Sequence, residues 1–353
     1  MYINGIDFPN DIIDAINEGN LVVFAGAGVS MGKPTLLPDF GKLTEQIAVG
    51  TGQSCQRNES YEVFLGRLKH HGIDVNEIAA EKLSQMNLRH NDLHKYIVEL
   101  FADISTLKIV TTNYDNMFEQ VFEQMGIENV KVYDAPALPL GDDLRGVVHI
   151  HGNVKEPEYM VLTDEDFGKA YLLDGYVSRF LTKLFDTYTV LFVGYSYNDV
   201  IVRYLTRAMT RYQVHKRYIL TDNKDGNWAE LGIQPIIYEA GRFDILNDGI
   251  HKLGERIKRG LSDWKNSLSL IVQKPPMDLT VISELDFCLQ DTSKVRILID
   301  SLEGEEWLWW IEERGYLDNL FVLNAQLNET DLLWLNWLVE KYAGKNDKAI
   351  KKI

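Results

Sequence analysis

Short apolar runs recur through the first two thirds of the chain. Leu21–Ala25, Leu107–Thr111, Val147–Ile150 and Thr189–Val193 are four or five residues long, rich in β-branched side chains and nearly free of polar alternation. That pattern reads as strands buried on both faces, the condition of strands inside a parallel sheet. Val130–Tyr133, Arg217–Leu220 and Pro235–Glu239 read as further strands. Between them the apolar spacing changes to the helical period. Ile12, Ile13 and Ile16 predict a short helix capped by Asn10-Asp11 and ending at Gly19, and Phe40, Leu43 and Ile47 predict one over 39–49. Residues 50–106 carry three successive helical faces: Phe64/Leu65/Leu68, Ile78/Leu83/Met86 and Leu93/Ile97/Leu100/Phe101. Further helices are expected through Met117–Phe122, over 164–186 with Thr163 or Asp164 as cap, from near Asp199, and over about 247–264. Strands alternating with helices indicate an α/β fold, a Rossmann-like doubly wound parallel sheet, with 50–106 as a helical insertion.

The pattern changes at Gln273-Lys274-Pro275-Pro276. A paired proline marks a joint, and no strand-like alternation follows it. Five of the seven tryptophans fall between 307 and 337, in stretches such as EEWLWWIEE and TDLLWLNWLVEKY. They read as amphipathic helices in which tryptophan serves as core. The expected organisation is a first domain over 1–272 and an α-helical module over 277–353, either packed on the first domain or opening a longer helical array.

Composition narrows the classes. A chain of 353 residues with 45% apolar content supplies the cores of two domains, and a net charge of −16 leaves no broad basic footprint for nucleic acid. An anionic ligand would be held locally, by backbone N–H groups and a few placed side chains. Two cysteines, Cys55 and Cys288, exclude a disulfide scaffold and a four-cysteine zinc site. The N-terminus lacks the basic-then-apolar pattern of a secretory signal, and no run approaches the roughly 18 apolar residues of a membrane span. A cytoplasmic protein is expected.

The chemically active residue types sit where the strands end. Gly26-Ala27-Gly28-Val29-Ser30 follows the first strand, Asn113-Tyr114-Asp115 the second, His151-Gly152 the next, and Gly194-Tyr195-Ser196 the one after. Each group alone has a plain structural reading. A Gly-x-Gly after a strand is an ordinary turn, Ser30 a helix cap, and Asn113 and Asp115 turn residues. Their convergence is more specific, because in a doubly wound sheet ligands bind beyond the carboxyl ends of the strands. His149 falls on the same strand face as His151 and reads as either a core histidine or its support.

Taken in order, GAGVS at 26–30, Pro38-Asp39-Phe40, TTNYD at 111–115, His151-Gly152 and Gly194-Tyr195-Ser196 resemble the sirtuin family over roughly 12–265. The resemblance implies that NAD is bound as a substrate, with no metal. Ala27, Gly28 and Ser30 would meet the pyrophosphate, and Phe40 would cover the nicotinamide. Asp115 would meet the carboxamide, and Gly194 and Ser196 would close the cofactor wall. Asn113 and His151 would be the catalytic pair, Asn113 placing ribose or water and His151 accepting a ribose proton. The chain departs from the deacetylating members, lacking the paired Cys-x-x-Cys zinc ligands and having Gly41 where an arginine is usual. It is more similar to bacterial sirtuin-like effectors of anti-phage defence. That likeness implies cleavage of NAD to ADP-ribose and nicotinamide, homo-oligomers formed through the sirtuin-like domain, and a phage-derived or partner-protein activator. ADP-ribosyl transfer or deacylation, and a non-catalytic nucleotide-sensing role, are the alternatives.

Overall fold

The computed structural model describes residues 1–84, 88–101, 103–196, 216–259 and 274–343. These form two compact units, one of Gly5–Ile257 and one of Met1–Asn4 with Lys258–Ile353.

The larger unit is built on seven parallel strands: β1 (Leu21–Ala25), β2 (Lys108–Thr111), β3 (Val132–Asp134), β4 (Gly146–His149), β5 (Thr189–Val193), β6 (Arg217–Thr221) and β7 (Gln234–Ile237). Their order across the sheet is β3-β4-β2-β1-β5-β6-β7. The chain therefore winds from central β1 toward one edge, then returns to β5 and winds toward the other. The crevice where the two directions part lies beside β1. Register brings the strand ends level, since Ala25 pairs with both Thr111 and Val193, and Thr111 pairs with His149. The residues that follow each of these four strands thus emerge along one line.

Alternation explains the burial of both sheet faces. Val22, Phe24, Val110, Val148, Val190 and Phe192 point to one side, where Phe180, Leu181, Leu184 and Phe185 of helix α8 (Tyr176–Thr187) cover them. Helix α1 (Asn10–Asn17) lies against β1 and β5. Helices α2 (Phe40–Ala48), α3 (Tyr61–His70), α4 (Val75–Ser84) and α5 (Asp92–Glu99) form the insertion and its base. Leu43, Ile47, Phe64, Leu68, Val75 and Leu83 make a separate apolar cluster there that includes Tyr114 from beyond β2. Helices α6 (Met117–Met125), α7 (Asp164–Gly168) and α9 (Phe243–Lys258) complete the unit.

Two expectations are corrected. Asn10 and Asp11 do not cap α1. Pro9 occupies the cap position without a side-chain bond, and Asp11 is drawn away by Tyr218, whose hydroxyl donates to it at 2.6 Å. The helix expected over 164–186 is interrupted. Thr163 and Asp166 form a capping box on α7, a π-type turn spans Lys169–Leu173, and Gly175 at φ 60° turns the chain before α8 begins. In α4 the expected Leu83 is buried and Ile78 packs against the same cluster, which Val75, Ala79 and Ala80 complete. Met86 and the helix expected near Asp199 lie outside the described residues.

The smaller unit contains α10 (Leu279–Leu289), α11 (Thr292–Leu298), α12 (Glu305–Glu313) and α13 (Glu329–Tyr342). Trp307, Trp334 and Trp337 are core, packed with Leu285, Leu298 and Ile311. The Trp337 indole N–H donates to Leu302 O at 2.9 Å, so its polar edge is satisfied inside the cluster.

Candidate active site

A cavity of about 600 Å³ opens beyond the carboxyl ends of β1, β2, β5 and β6. Ala27, Gly28, Ser30, Phe40, Asn113, Asp115, Gly194 and Ser196 all line it. The cavity is within the usual range for a small-molecule site.

The glycine turn is built differently from the expectation of a phosphate-facing loop. Gly26 N–H donates to Val193 O and Gly28 N–H to Gly194 O, each at 2.9 Å, while Val29 N–H and Ser30 N–H bond back to Gly26 O and Ala27 O at 3.0 Å. Gly28 N–H is therefore committed to protein, and among these amides only Ala27 N–H has no partner in the described residues. A Cβ on Gly28 would sit 2.9 Å from Gly194 Cα, and one on Gly26 2.8 Å from Gly194 O. These glycines are required because the ends of β1 and β5 pack backbone to backbone.

Ser30 is the hub of the buried polar wall. Its hydroxyl donates to Asp115 Oδ2 at 2.8 Å, accepts from Asn113 Nδ2 at 3.1 Å and lies 3.1 Å from His94 Nε2. Asn113 Nδ2 also donates to Gly26 O at 3.1 Å. Burial raises the Asp115 pKa, against the Ser30 hydroxyl and the Met117 amide, which favour the carboxylate. His94 was absent from the sequence reading. It lies on α5 more than 60 residues from its partner, within the capping box it forms with Asn91. Asn91 in turn donates to Val29 O at 2.8 Å, so the insertion holds the turn at two points. Burial pulls the His94 pKa down to about 3, leaving a neutral ring.

Phe40 opens α2, whose N-terminus Asp39 caps by accepting from Lys42 N–H at 2.8 Å. Its ring meets Tyr61 edge to face, centroids 6.4 Å apart. A Cβ on Gly41 would lie 3.0 Å from that Tyr61 ring. The space beside Gly41 is thus filled from the insertion.

His151 is placed apart from the others and is not among the described lining residues. It is fully buried against Phe167 and Tyr171. Nε2 lies 2.8 Å from the Tyr171 hydroxyl, and Nδ1 has no partner among the described residues. Burial pulls its pKa down to about 3, so the ring is neutral. Gly152, at φ 80°, turns the chain where a Cβ would meet Tyr159 O at 2.6 Å. The cavity also takes Thr221, Asp222, Asn223 and Tyr238 from the far side, residues the sequence reading passed over. Their signal was present: Thr-Asp-Asn directly after the apolar strand YIL is the same strand-end pattern as Asn113–Asp115.

Residues 107–236 match the family described as SIR2-like domain. The chain carries a SIR2-like domain. Curated relatives align over longer stretches of the chain. An uncharacterized protein, y4cA, of Sinorhizobium fredii is 30% identical over 269 residues, covering 67% of this chain and 22% of the relative. NAD(+) hydrolase ThsA of Bacillus cereus is 29% identical over 220 residues, covering 60% of this chain and 44% of the relative. Defense-associated sirtuin 2 of Bacillus subtilis is 22% identical over 236 residues, covering 62% and 22% respectively. The chain thus spans less than half the length of each of these relatives. The SIR2-like match begins at β2 and ends within β7, and so includes Asn113, Asp115, His151 and Gly194.

Proposed function

We propose that the SIR2-like unit cleaves NAD at the nicotinamide–ribose bond, giving nicotinamide and ADP-ribose. The observation that carries this reading is the Asn113–Ser30–Asp115 constellation, buried in the wall of a switch-point cavity. The relatives named NAD(+) hydrolase support it. In the reaction the C1′–N bond breaks with its electron pair leaving on the ring nitrogen, which turns the pyridinium into neutral nicotinamide. A water oxygen bonds to C1′ and loses a proton. The cationic sugar that develops resembles the one in glycoside hydrolysis, and it needs a polar, positioned face.

In this reading Asn113 holds the ribose or the attacking water. Asp115 meets the carboxamide, Phe40 covers the ring, and Ala27 N–H with Gly194 and Ser196 borders the phosphates. Thr221, Asp222 and Asn223 supply polar groups to the other half of the dinucleotide. His151 accepts a ribose proton. Nδ1 of its neutral ring has no partner among the described residues, and its contact with the ribose would form only on substrate binding. The protein would act as an NAD-depleting effector of anti-phage defence, a role supported by the name of the Bacillus subtilis relative. It would assemble into homo-oligomers through the SIR2-like unit and respond to a phage-derived or partner-protein activator.

The test is release of nicotinamide from NAD without any acylated peptide, across a protein concentration series that covers self-association. Appearance of nicotinamide and ADP-ribose in equal amounts supports hydrolysis. Transfer of label from NAD to protein would replace hydrolysis with ADP-ribosyl transfer, and tight binding without turnover at every concentration would leave a sensing module.

A further inference from the structure

Behind the cavity wall, His149 and Glu119 make a partly buried contact that the proposed reaction does not use. His149 ends β4, in register with Thr111 of β2 and Asp134 of β3. Its ring is fully buried. Nε2 lies 2.9 Å from Glu119 Oε1, on α6, and Nδ1 lies 3.2 Å from the main-chain oxygen of Asn113. Neither side chain lines the cavity.

The chemistry of the two contacts decides where protons sit. A carbonyl oxygen only accepts, so Nδ1 must carry hydrogen. The other nitrogen faces a carboxylate, and that contact is attractive only while one proton lies on it. The groups turned toward the ring decide which partner holds it. Besides Glu119 these are Asp134 from β3 and Asp115 from beyond β2, both carboxylates, while Lys155 in the loop after β4 acts on Glu119. Carboxylates on three sides favour the imidazolium. Burial is the largest single influence on His149 and opposes its charge, yet the Glu119 hydrogen bond and charge, the Asn113 carbonyl and the Asp134 charge together outweigh it and the pKa is raised; burial likewise opposes Glu119, whose pKa is nonetheless lowered, by His149 first.

We infer that Glu119 and a protonated His149 form a positioning pair that holds Asn113 from behind, clamping its carbonyl while the glycine turn clamps its side chain. Asn113 is then fixed at three points: its N–H on Thr111 Oγ1 at 3.0 Å, its amide on Gly26 O and Ser30 Oγ, and its carbonyl on His149. The inference rests on the reading of Asn113 as a residue of the NAD-cleaving site. Because the His149 pKa is raised, the clamp is complete below the ordinary histidine value of 6.5 and is lost as pH rises through the higher folded value. Because the Glu119 pKa is lowered, the clamp persists as pH falls through 4.5 and fails only below the lower folded value.

The experiment compares the whole chain with Glu119→Gln, which keeps size and an acceptor oxygen but removes the charge, and with Glu119→Asp as the charge-retaining variant. Turnover of NAD is measured from pH 6 to 9. Expected for Glu119→Gln is a roughly tenfold loss in kcat with KM within about twofold of wild type, and an alkaline limb displaced to lower pH; Glu119→Asp should recover part of kcat and the wild-type limb. Histidine-labelled protein gives a second reading without turnover. Both His149 ring nitrogens should show the imidazolium signature at pH 7 in wild type and lose it in Glu119→Gln, with a displaced Asn113 side-chain amide resonance. A neutral His149 in the wild type, or a Glu119→Gln variant that melts earlier with kcat, its pH profile and the Asn113 resonance unmoved, overturns the inference. If wild type never turns over NAD, the enzymatic reading fails on its own, and the resonances still decide the clamp.

Discussion

Removing the Ser30 hydroxyl should cost stability in a pH-dependent way. Ser30→Ala leaves three buried groups short of a partner: the Asp115 carboxylate, the Asn113 amide and His94 Nε2. A hydrogen bond to a charged group contributes about 1.5–3 kcal/mol, and the neutral partners add about 1 kcal/mol, so the expected loss near neutral pH is about 2–4 kcal/mol. For a unit of this size that is roughly 2–4 °C of melting temperature per kcal/mol, hence about 5–15 °C. The Asp115 pKa is already raised from 3.8 by burial, and losing a donor raises it further. Above 3.8 the folded state binds this proton more tightly than the unfolded state, so the penalty of the substitution grows as pH rises through the folded values. Protonated Asp115 needs the hydroxyl less. Thermal unfolding by circular dichroism at pH 5 and pH 8 reads the difference directly, with the larger decrement at pH 8. An equal decrement at both, or none at pH 8, would refute the assignment of Ser30 as donor to a carboxylate.

Three further outcomes are expected. Asn113→Ala and His151→Ala should each abolish nicotinamide release while the protein stays folded; turnover near wild type with unchanged melting would place the base or the site elsewhere. Gly194→Ala should destabilise by about 2–5 kcal/mol in denaturant unfolding, since Gly194 sits at φ 78° and its Cβ would lie 2.6 Å from Val29 N, whereas Gly126→Ala, at φ 64° with open space around it, should cost only about 1 kcal/mol. Arg217 is buried over the Phe185 ring at 4.8 Å with no hydrogen-bond partner for its guanidinium among the described residues, and burial pulls its pKa down to about 10. Arg217→Met should therefore melt at or above the wild-type temperature, because a desolvated charge without a hydrogen bond among the described residues is replaced by apolar volume.

Much of the fold is legible from local pattern. LVVFA and TVLFV become β1 and β5 to the residue, because a β-branched run without polar positions has no exposed face to offer and must enter the middle of a sheet. Parallel winding then sends every strand end to one edge, which is why the residues that follow β1, β2 and β5 lie together around one cavity, with His151 after β4 set apart from it. Signals that compete locally were harder to read. Asp11 has a capping residue's chemistry but finds a tyrosine on β6, and Asp174-Gly175 ends a helical pattern whose apolar period continues beyond it.

The sequence alone determined the sheet, the insertion, the helical tryptophan-rich end, and the edge at which Ala27, Ser30, Phe40, Asn113 and Asp115 meet. Only the tertiary structure decided how those groups are used. Gly28 gives its N–H to Gly194 because β1 and β5, far apart in the chain, pair in a register that brings the two glycines together. Ser30 answers to His94, and Asn113 to His149, through elements the chain adds tens of residues away. His151 turns toward Tyr171 because the π-type turn of 169–173 carries that ring to it. Strand burial follows from side-chain type within a few residues, whereas the direction of an N–H or a ring nitrogen depends on which distant backbone arrives beside it.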